Sequence, residues 1–157
     1  IDCRIRFGSL ECSIITEEFL QACKNLKAFC PQFHLSLQSG DDSVLKKMNR
    51  KYTTNEYYEK VELIRSYFED AAITTDLIVA FPTETNEQFE NTLSFMKKVS
   101  FSSVHIFPYS KREGTVAAKY KQIDGIESKR RWQKANEVEN ECKINYLNSM
   151  LGKELEV

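Results

Sequence analysis

Strand patterns and helix patterns alternate along this chain of 157 residues. Short apolar segments predict four strands, at Arg4 to Gly8, His34 to Gln38, Ile73 to Val79 and Val104 to Pro108. A helical pattern follows each of the first three strands, and a long polar helix closes the chain at Glu127 to Met150. Strands that alternate with helices pair in parallel through crossover connections, so the pattern predicts about four βα units and a C-terminal helix.

Two of the predicted helices carry clear start signals. Thr53 with Glu56, and Thr85 with Gln88, form capping boxes, in which the two side chains satisfy two free backbone N–H groups. Apolar residues then follow at helical spacing and are expected to face the core: Tyr57, Val61, Ile64 and Phe68 in one helix, and Phe89, Leu93, Met96 and Val99 in the next.

The predicted strands are apolar on one side and polar on the other. The polar side carries His34, Ser36 and Gln38 on the second strand, with Asp76 on the third and His105 on the fourth. Because helices cover the apolar side, the polar side is expected to line a cavity, as in a barrel that holds a ligand. The alternative is an interior satisfied by its own polar layer and by water. We interpret the two histidines as interior residues and not as metal ligands.

The length limits the architecture. An eight-stranded (β/α) barrel usually needs about 250 residues, so four βα units predict an α/β fold with a partial parallel barrel. We therefore expect either a half-barrel or a piece of a longer protein.

Candidate binding residues lie where the strands end, because ligands of βα folds sit at the carboxyl ends of strands. Asp76 and Gln38 suit the hydroxyl groups of a ribose, and Arg50 suits the carboxylate of an amino acid, which a guanidinium binds with two parallel hydrogen bonds. An internal salt bridge between Asp76 and Arg50 is the alternative.

Composition narrows the classes of protein. With 22 Lys and Arg against 23 Asp and Glu, the net charge is −1, so any contact with nucleic acid must be local. The basic run at residues 128–131 suits phosphate groups or, alternatively, a solvated helix face. Five cysteines without a C-x-x-C pair or a secretory signal indicate reduced thiols in the cytoplasm and no metal site within this chain. No apolar run approaches the roughly 20 residues of a membrane span.

Four segments in this order carry a family resemblance: HLSLQSG, VLKKMNRKYT, TTDLIVAFPTET and HIFPYSKREGT. Together they resemble the second half of the radical S-adenosylmethionine domain of methylthiotransferases, and most of all the threonylcarbamoyladenosine tRNA branch. The resemblance runs from Arg4 to about Trp132 and implies a partial (β/α)₆ barrel.

The resemblance implies a role for individual residues. Gln38 and Asp76 match residues that hold the ribose of S-adenosylmethionine, and Arg50 matches one that holds its methionine carboxylate. Ser9 is implied near the methionine, and Ala80 belongs to the loop whose backbone packs near the adenine. Substrate contacts are implied for three residues at the mouth of the cavity, where an aromatic ring suits an unpaired base: Tyr109, Arg112 and Thr115.

Several positions depart from the family pattern. Ala80 and Thr83 replace the two glycines of VGFPGET, and a methyl group at Ala80 is expected to narrow the approach of the cofactor. Lys111 and Cys12 stand where proline is usual, and Asp41 stands where a small residue or cysteine is usual.

The C-x-x-x-C-x-x-C cluster motif of the family is not in this chain. We therefore expect a fragment that is inactive alone and has no catalytic residue of its own. The complete enzyme is implied to use S-adenosylmethionine and two [4Fe–4S] clusters to add a methylthio group to carbon 2 of N6-threonylcarbamoyladenosine next to a tRNA anticodon. The alternatives are isopentenyladenosine tRNA, a ribosomal protein, or a non-catalytic half-barrel that binds a nucleotide.

Two regions are predicted. Residues 1–126 form the C-terminal half of the barrel, and residues 127–157 form the helix that leads to an RNA-binding β-domain outside this chain. The implied partners are the tRNA anticodon stem-loop and the remaining domains of the same protein, with no membrane.

Overall fold

The fold is an α/β arrangement of four strands and five α-helices within residues 3–154, the part of the chain that the computed structural model describes. The outermost residues of the two predicted regions, 1–2 and 155–157, lie outside it. The strands are β1 (Ser9–Leu10), β2 (Gln32–Leu35), β3 (Ala72–Val79) and β4 (Ser103–Pro108). The helices are α1 (Glu17–Lys24), α2 (Asp42–Lys47), α3 (Thr54–Tyr67), α4 (Asn86–Val99) and α5 (Gly125–Met150).

All four strands are parallel and lie in the order β1, β2, β3, β4. The longest ladder joins β3 to β4, from Thr74 opposite Ser103 to Val79 opposite Pro108. This sheet has the sequential order of a barrel segment, which confirms the predicted fold class.

The helices begin where the sequence predicted. Both capping boxes are present: Thr53 accepts from the Glu56 N–H at 3.2 Å, and Thr85 accepts from the Gln88 N–H at 3.2 Å. The apolar residues that were predicted to face the core from α3 and α4 are buried. The exception is Phe68, which lies at the end of α3 and is half-buried. Trp132 of α5 is 38% exposed, and its indole N–H donates to the Ile106 carbonyl at 3.1 Å.

One continuous core joins the apolar side of the sheet to the helices. Strand residues such as Phe33, Leu35 and Leu77 are fully buried against helix residues such as Tyr57 and Met96. The opposite side of the sheet is open at His105, whose side chain is 64% exposed. The helices therefore cover one side of the sheet, and the polar side is partly exposed.

Gly40 allows α4 to approach the end of β2. A Cβ atom at this position would lie 2.8 Å from the Thr92 Cα and 2.9 Å from the Phe95 Cβ, both closer than packed atoms allow. The Gly40 N–H donates to the Thr92 hydroxyl at 3.2 Å instead. The glycine of the LQSG segment is thus required by packing.

The predicted ends of the first two strands are wrong. Arg4 to Gly8 was predicted as a strand, but only Ile5 pairs there, through an isolated bridge to Phe29, and β1 follows at Ser9–Leu10. Pro31 interrupts the neighbouring segment because it has no N–H to donate. The second strand begins two residues before His34 and ends at Leu35, three residues before the predicted end.

Strand β2 ends early because it carries one extra residue opposite β3. His34 pairs with Thr74, but Gln38 pairs with Leu77, so four steps on one chain oppose three on the other. The hydroxyl of Thr75 closes the gap: it donates to the Leu35 carbonyl at 2.5 Å and accepts from the Leu37 N–H at 2.9 Å.

Two tyrosines complete this repair of the ladder. The Tyr57 hydroxyl donates to the Leu35 carbonyl at 2.9 Å, and the Tyr52 hydroxyl lies 2.7 Å and 2.8 Å from the carbonyls of Ser36 and Leu37. Burial raises the pKa of Tyr57 well above its usual range and that of Tyr52 to about 12, so both phenols stay protonated as donors. We call Thr75, Tyr52 and Tyr57 the hydroxyl staple.

Replacing Thr75 by valine is expected to lower the free energy of unfolding by about 1–3 kcal/mol, because the buried Leu37 N–H loses its acceptor while the shape is kept. Equilibrium denaturation measures this loss. Thr74→Val is the matched control, since Thr74 lies on the same strand but on the open, half-buried side. Equal losses for the two variants would contradict the importance of the staple.

A candidate ligand site at the carboxyl end of the sheet

Asp76 lies on the open side of the sheet between two histidines. Its Oδ2 is 3.4 Å from His34 Nε2, and its Oδ1 is 3.3 Å from His105 Nδ1. The two imidazole rings are 6.0 Å apart between centroids. Asp76 keeps 31% of its side chain exposed, so its carboxylate is available to a ligand as well as to the histidines.

His34 is held from its other nitrogen. Its Nδ1 lies 3.0 Å from the Thr74 hydroxyl, which also accepts from the Gln32 amide at 3.3 Å. The His34 Nε2 atom is buried and makes no hydrogen bond of good geometry, so its contact with Asp76 is one of proximity. The sequence predicted that His34 is an interior residue whose polar atoms have partners. Its Nδ1 has one, but its Nε2 does not.

The structure brings Gln38 next to Asp76, as predicted. The Gln38 N–H donates to the Asp76 carbonyl at 2.9 Å, and the Gln38 carbonyl accepts from Ile78 at 3.0 Å. Gln38 has a φ of 71°, in the left-handed region that few side chains favour. The side-chain amide of Gln38 makes no hydrogen bond to any described residue, so its donors and acceptor remain available.

Arg50 does not pair with Asp76, so the alternative of an internal salt bridge between them is wrong. Arg50 follows α2, its N–H donates to the Leu45 carbonyl at 2.9 Å, and it has no ion-pair partner among residues 3–154. Its charge acts on Tyr52, where it partly offsets the rise in pKa that burial causes. A half-buried guanidinium without an acid suits an anionic ligand group.

The loop after β3 keeps left-handed backbone at two positions where the family has glycine. Ala80 has a φ of 58° and Thr83 a φ of 70°. Thr83 is β-branched, which makes this conformation costly, and its exposed hydroxyl accepts from the Lys47 ammonium at 2.8 Å. The loop therefore has left-handed backbone at both positions although neither residue is glycine.

A buried ion pair anchors this loop to α5. Glu84 accepts from the Ala80 N–H at 3.0 Å and from Arg131 Nη1 at 2.7 Å, and the two side chains are 1% and 4% exposed. Arg131 also donates to Asn86 at 2.8 Å and to Glu127 at 2.8 Å. Burial raises the pKa of the Glu84 carboxyl, and the hydrogen bond from Arg131 opposes that rise.

Both interpretations of the basic run missed the role of Arg131. Arg130 is exposed and pairs with Glu127, whose pKa falls to about 2 through Arg130 and then Arg131, but Arg131 itself is buried. Helical spacing indicates this burial, since Arg131 lies four residues before the buried Ala135 and seven before the buried Val138, on the same face of α5.

The remaining predicted residues lie around the edge of the site. Ser9 is exposed on β1 and pairs with His34, and Tyr109 follows β4, where its N–H donates to the Val79 carbonyl at 2.9 Å. The Tyr109 ring packs edge-on against the Phe81 ring, with 5.4 Å between the ring centroids. Arg112 and Thr115 lie in an exposed loop, joined by a 2.8 Å hydrogen bond from the Thr115 hydroxyl to the Arg112 carbonyl.

The cysteines of the described chain are free thiols. Cys12, Cys23 and Cys142 are buried, Cys30 is half-buried and Cys3 is exposed. Within residues 3–154, no three His, Cys, Asp or Glu side chains are grouped to hold a metal ion, so these residues do not fit an iron–sulfur cluster. No helix in the same range is long and apolar enough to cross a bilayer.

A parallel barrel segment with polar side chains at its carboxyl edge defines a ligand-binding (β/α) fold, and sequence comparison gives the family. The profile of the Radical SAM superfamily matches residues 3–96, and the chain belongs to this superfamily. Radical SAM enzymes use S-adenosylmethionine and a [4Fe–4S] cluster. The predicted membership of the radical S-adenosylmethionine superfamily is thereby confirmed.

Curated relatives match over nearly the whole chain. The tRNA-2-methylthio-N(6)-dimethylallyladenosine synthase of Thermoanaerobacter sp. (strain X514) is 41% identical over 155 residues, which are 98% of this chain and 33% of the relative. The threonylcarbamoyladenosine tRNA methylthiotransferase MtaB of Thermotoga maritima is 39% identical over 157 residues, 99% of this chain and 36% of the relative. The chain thus spans about a third of the length of these relatives.

Solved structures share the fold at low identity. The Escherichia coli coproporphyrinogen III oxidase HemN, a radical SAM enzyme, has a TM-score of 0.68 at 18% identity, over 85% of this chain and 31% of that chain. The archaeal Elp3 of Methanocaldococcus infernus has a TM-score of 0.56 at 17% identity, over 92% of this chain and 32% of that chain.

Replacing Arg131 by methionine is expected to lower the free energy of unfolding by about 3–5 kcal/mol, because Glu84 is left buried without its partner. Arg130→Met is the matched control, since its exposed pair contributes at most about 1 kcal/mol. Thermal or chemical denaturation of both variants measures the difference. A small loss for Arg131→Met would show that Glu84 relaxes into another contact.

Replacing Thr83 by glycine is expected to raise the free energy of unfolding by about 1 kcal/mol, since glycine adopts the left-handed conformation without a Cβ clash. Thr85→Gly is the control, because Thr85 has a φ of −79° and caps α4, so its loss should destabilise. Denaturation midpoints compare the two. Destabilisation by both variants would mean that Thr83 is not strained.

Proposed function

We propose that the complete protein that carries this chain is a radical SAM tRNA methylthiotransferase and that this chain forms part of its S-adenosylmethionine site. The observation that carries the proposal is the juxtaposition of Gln38 and Asp76 at the carboxyl edge of the sheet. The relatives named as tRNA methylthiotransferase and methylthio-adenosine synthase support the class of reaction.

The side chains suit the parts of S-adenosylmethionine. Asp76 accepts and Gln38 donates or accepts hydrogen bonds, which fits the two ribose hydroxyls. Arg50 has no acid partner in the described chain and fits the methionine carboxylate. Ser9 pairs with His34 between β1 and β2, and we place the methionine beside this pair. We place the adenine against the buried backbone of Ala80.

S-adenosylmethionine, with clusters bound outside this chain, supplies the radical and the methyl group of such a reaction. The residues of this chain bind and orient the cofactor, and they limit the access of water from the covered side of the sheet. We assign no proton transfer to them.

We propose N6-threonylcarbamoyladenosine in a tRNA anticodon stem-loop as the substrate and carbon 2 as the atom modified. The HIFPYSKREGT segment supports this choice, and its Tyr109 ring at the mouth of the site suits stacking on an unpaired base. Arg112 and Thr115 lie in the same exposed segment, within reach of a substrate that enters there.

Dimethylallyladenosine, which is isopentenyladenosine, in tRNA is the second candidate, favoured by the relative of that name at 41% identity. Mass spectrometry of nucleosides from a strain that lacks the gene, with and without the gene restored, separates the two. Loss and recovery of the methylthio form of the threonylcarbamoyl nucleoside support the first substrate. Loss and recovery of the methylthio form of the dimethylallyl nucleoside support the second. If neither methylthio nucleoside changes, both substrate proposals are overturned.

We further propose that residues 1–126 complete a barrel with the preceding part of the protein and that residues 127–157 lead to an RNA-binding β-domain. Trp132 joins α5 to β4, so the long helix has a fixed base from which to reach that domain. We also propose a cytoplasmic location, which the proposed action on tRNA supports.

Asp76→Asn and Gln38→Ala in the complete protein are each expected to weaken binding of S-adenosylmethionine by about 1–3 kcal/mol, the value of a hydrogen bond to a charged or buried group. Isothermal titration measures the dissociation constants. Asp70→Asn is the matched control, because Asp70 precedes β3 at the opposite end of the sheet and pairs with Lys153. Unchanged binding in both site variants contradicts the ribose assignment.

A further inference from the structure

Asp76 and its two histidines form a cluster that the assignment of the ribose leaves unexplained. The three side chains come from three neighbouring strands, β2, β3 and β4, and each carboxylate oxygen of Asp76 faces a different imidazole. His105 is largely exposed, with 64% of its side chain accessible. Their common feature is contact with the one carboxylate at the site.

The hydrogen bonds around Thr74 hold the ring of His34 in place. The Thr74 hydroxyl accepts from the Gln32 side-chain amide at 3.3 Å and lies 3.0 Å from His34 Nδ1. The other ring nitrogen, Nε2, is buried without a hydrogen bond and faces Asp76 Oδ2 at 3.4 Å. Gln32 of β2 and Thr74 of β3 thus fix the His34 ring, which faces the carboxylate of Asp76.

The neutral cluster leaves room for a diol. A carboxylate has about four sites that accept hydrogen bonds. The imidazoles lie 3.4 Å and 3.3 Å from its two oxygens as proximity contacts, so acceptor sites remain for the two hydroxyl donors of a ribose. Protonation of an imidazole turns a proximity contact into an ion pair, which draws the carboxylate away from hydroxyl donors.

Residues of β1, β4 and α5 lie next to the cluster. In the described chain, β1 contributes the uncharged Ser9 beside His34, and β4 contributes Ser103 two residues before His105. From α5, Glu139 accepts a hydrogen bond from Ser103 at 3.4 Å and is the acidic group on that side. The titratable groups in contact with one another remain His34, Asp76 and His105.

We propose that His34 and His105 are positioning residues for Asp76, which hold its carboxylate for a ribose diol when neutral and withdraw it when protonated. This inference rests on the proposed function, since it takes Asp76 as a ribose contact. Ligand affinity therefore depends on pH in the range in which histidine changes charge, and it falls as the solution becomes acidic.

The test is the dissociation constant of 5′-methylthioadenosine for the complete protein between about pH 5.5 and about pH 8, where histidine titrates and this probe does not. The wild type is expected to bind about fivefold more weakly at the acidic end, the factor given by an ion pair of this exposure. His105→Gln and His34→Gln should each flatten that profile.

Ser103→Ala is the matched control on the same strand and should keep the wild-type profile. His105 is exposed, so His105→Gln is expected to fold. This variant keeps the test decisive even if His34→Gln fails to fold. Wild-type pH profiles in both histidine variants, with Asp76→Asn weakening binding, overturn this inference alone. Unchanged binding by Asp76→Asn overturns the ribose assignment itself.

Discussion

The hydroxyl of Thr75 holds the sheet together at the point where its ladder breaks. One extra residue in β2 interrupts pairing with β3, and without a donor and an acceptor at that point the backbone of Leu35 and Leu37 would be buried unsatisfied. Thr75, with Tyr52 and Tyr57, supplies those groups and lets Gln38 pair again with β3 beside Asp76. The candidate site therefore depends on an irregularity in the sheet that three buried hydroxyls stabilise.

A second constraint links the site to the long helix. Glu84 holds the Ala80 backbone on one side and Arg131 of α5 on the other, both with almost no exposure to solvent. A buried pair of this kind is weak as a source of stability but strict about geometry, because neither charge tolerates the loss of its partner. The loop is therefore fixed although Ala80 and Thr83 carry side chains at left-handed positions.

Charge at the site is concentrated in few groups. Asp76 between two histidines forms the acidic part, and Arg50, without an acid partner in the described chain, forms the basic part. That division suits a ligand with hydroxyl donors at one end and a carboxylate at the other, in keeping with a superfamily that uses S-adenosylmethionine.

The sequence by itself determined the order of strands and helices, both capping boxes and most of the buried stripes, because these depend on local periodicity and on bonds within three or four residues. It also indicated the family and the residues at the carboxyl edge of the sheet. Only the tertiary structure decided where β1 and β2 end, that Asp76 contacts His34 and His105 and does not pair with Arg50, and that Arg131 is buried. Each of these depends on which distant segment supplies a donor, an acceptor or a charge, and local periodicity carries no information about that partner.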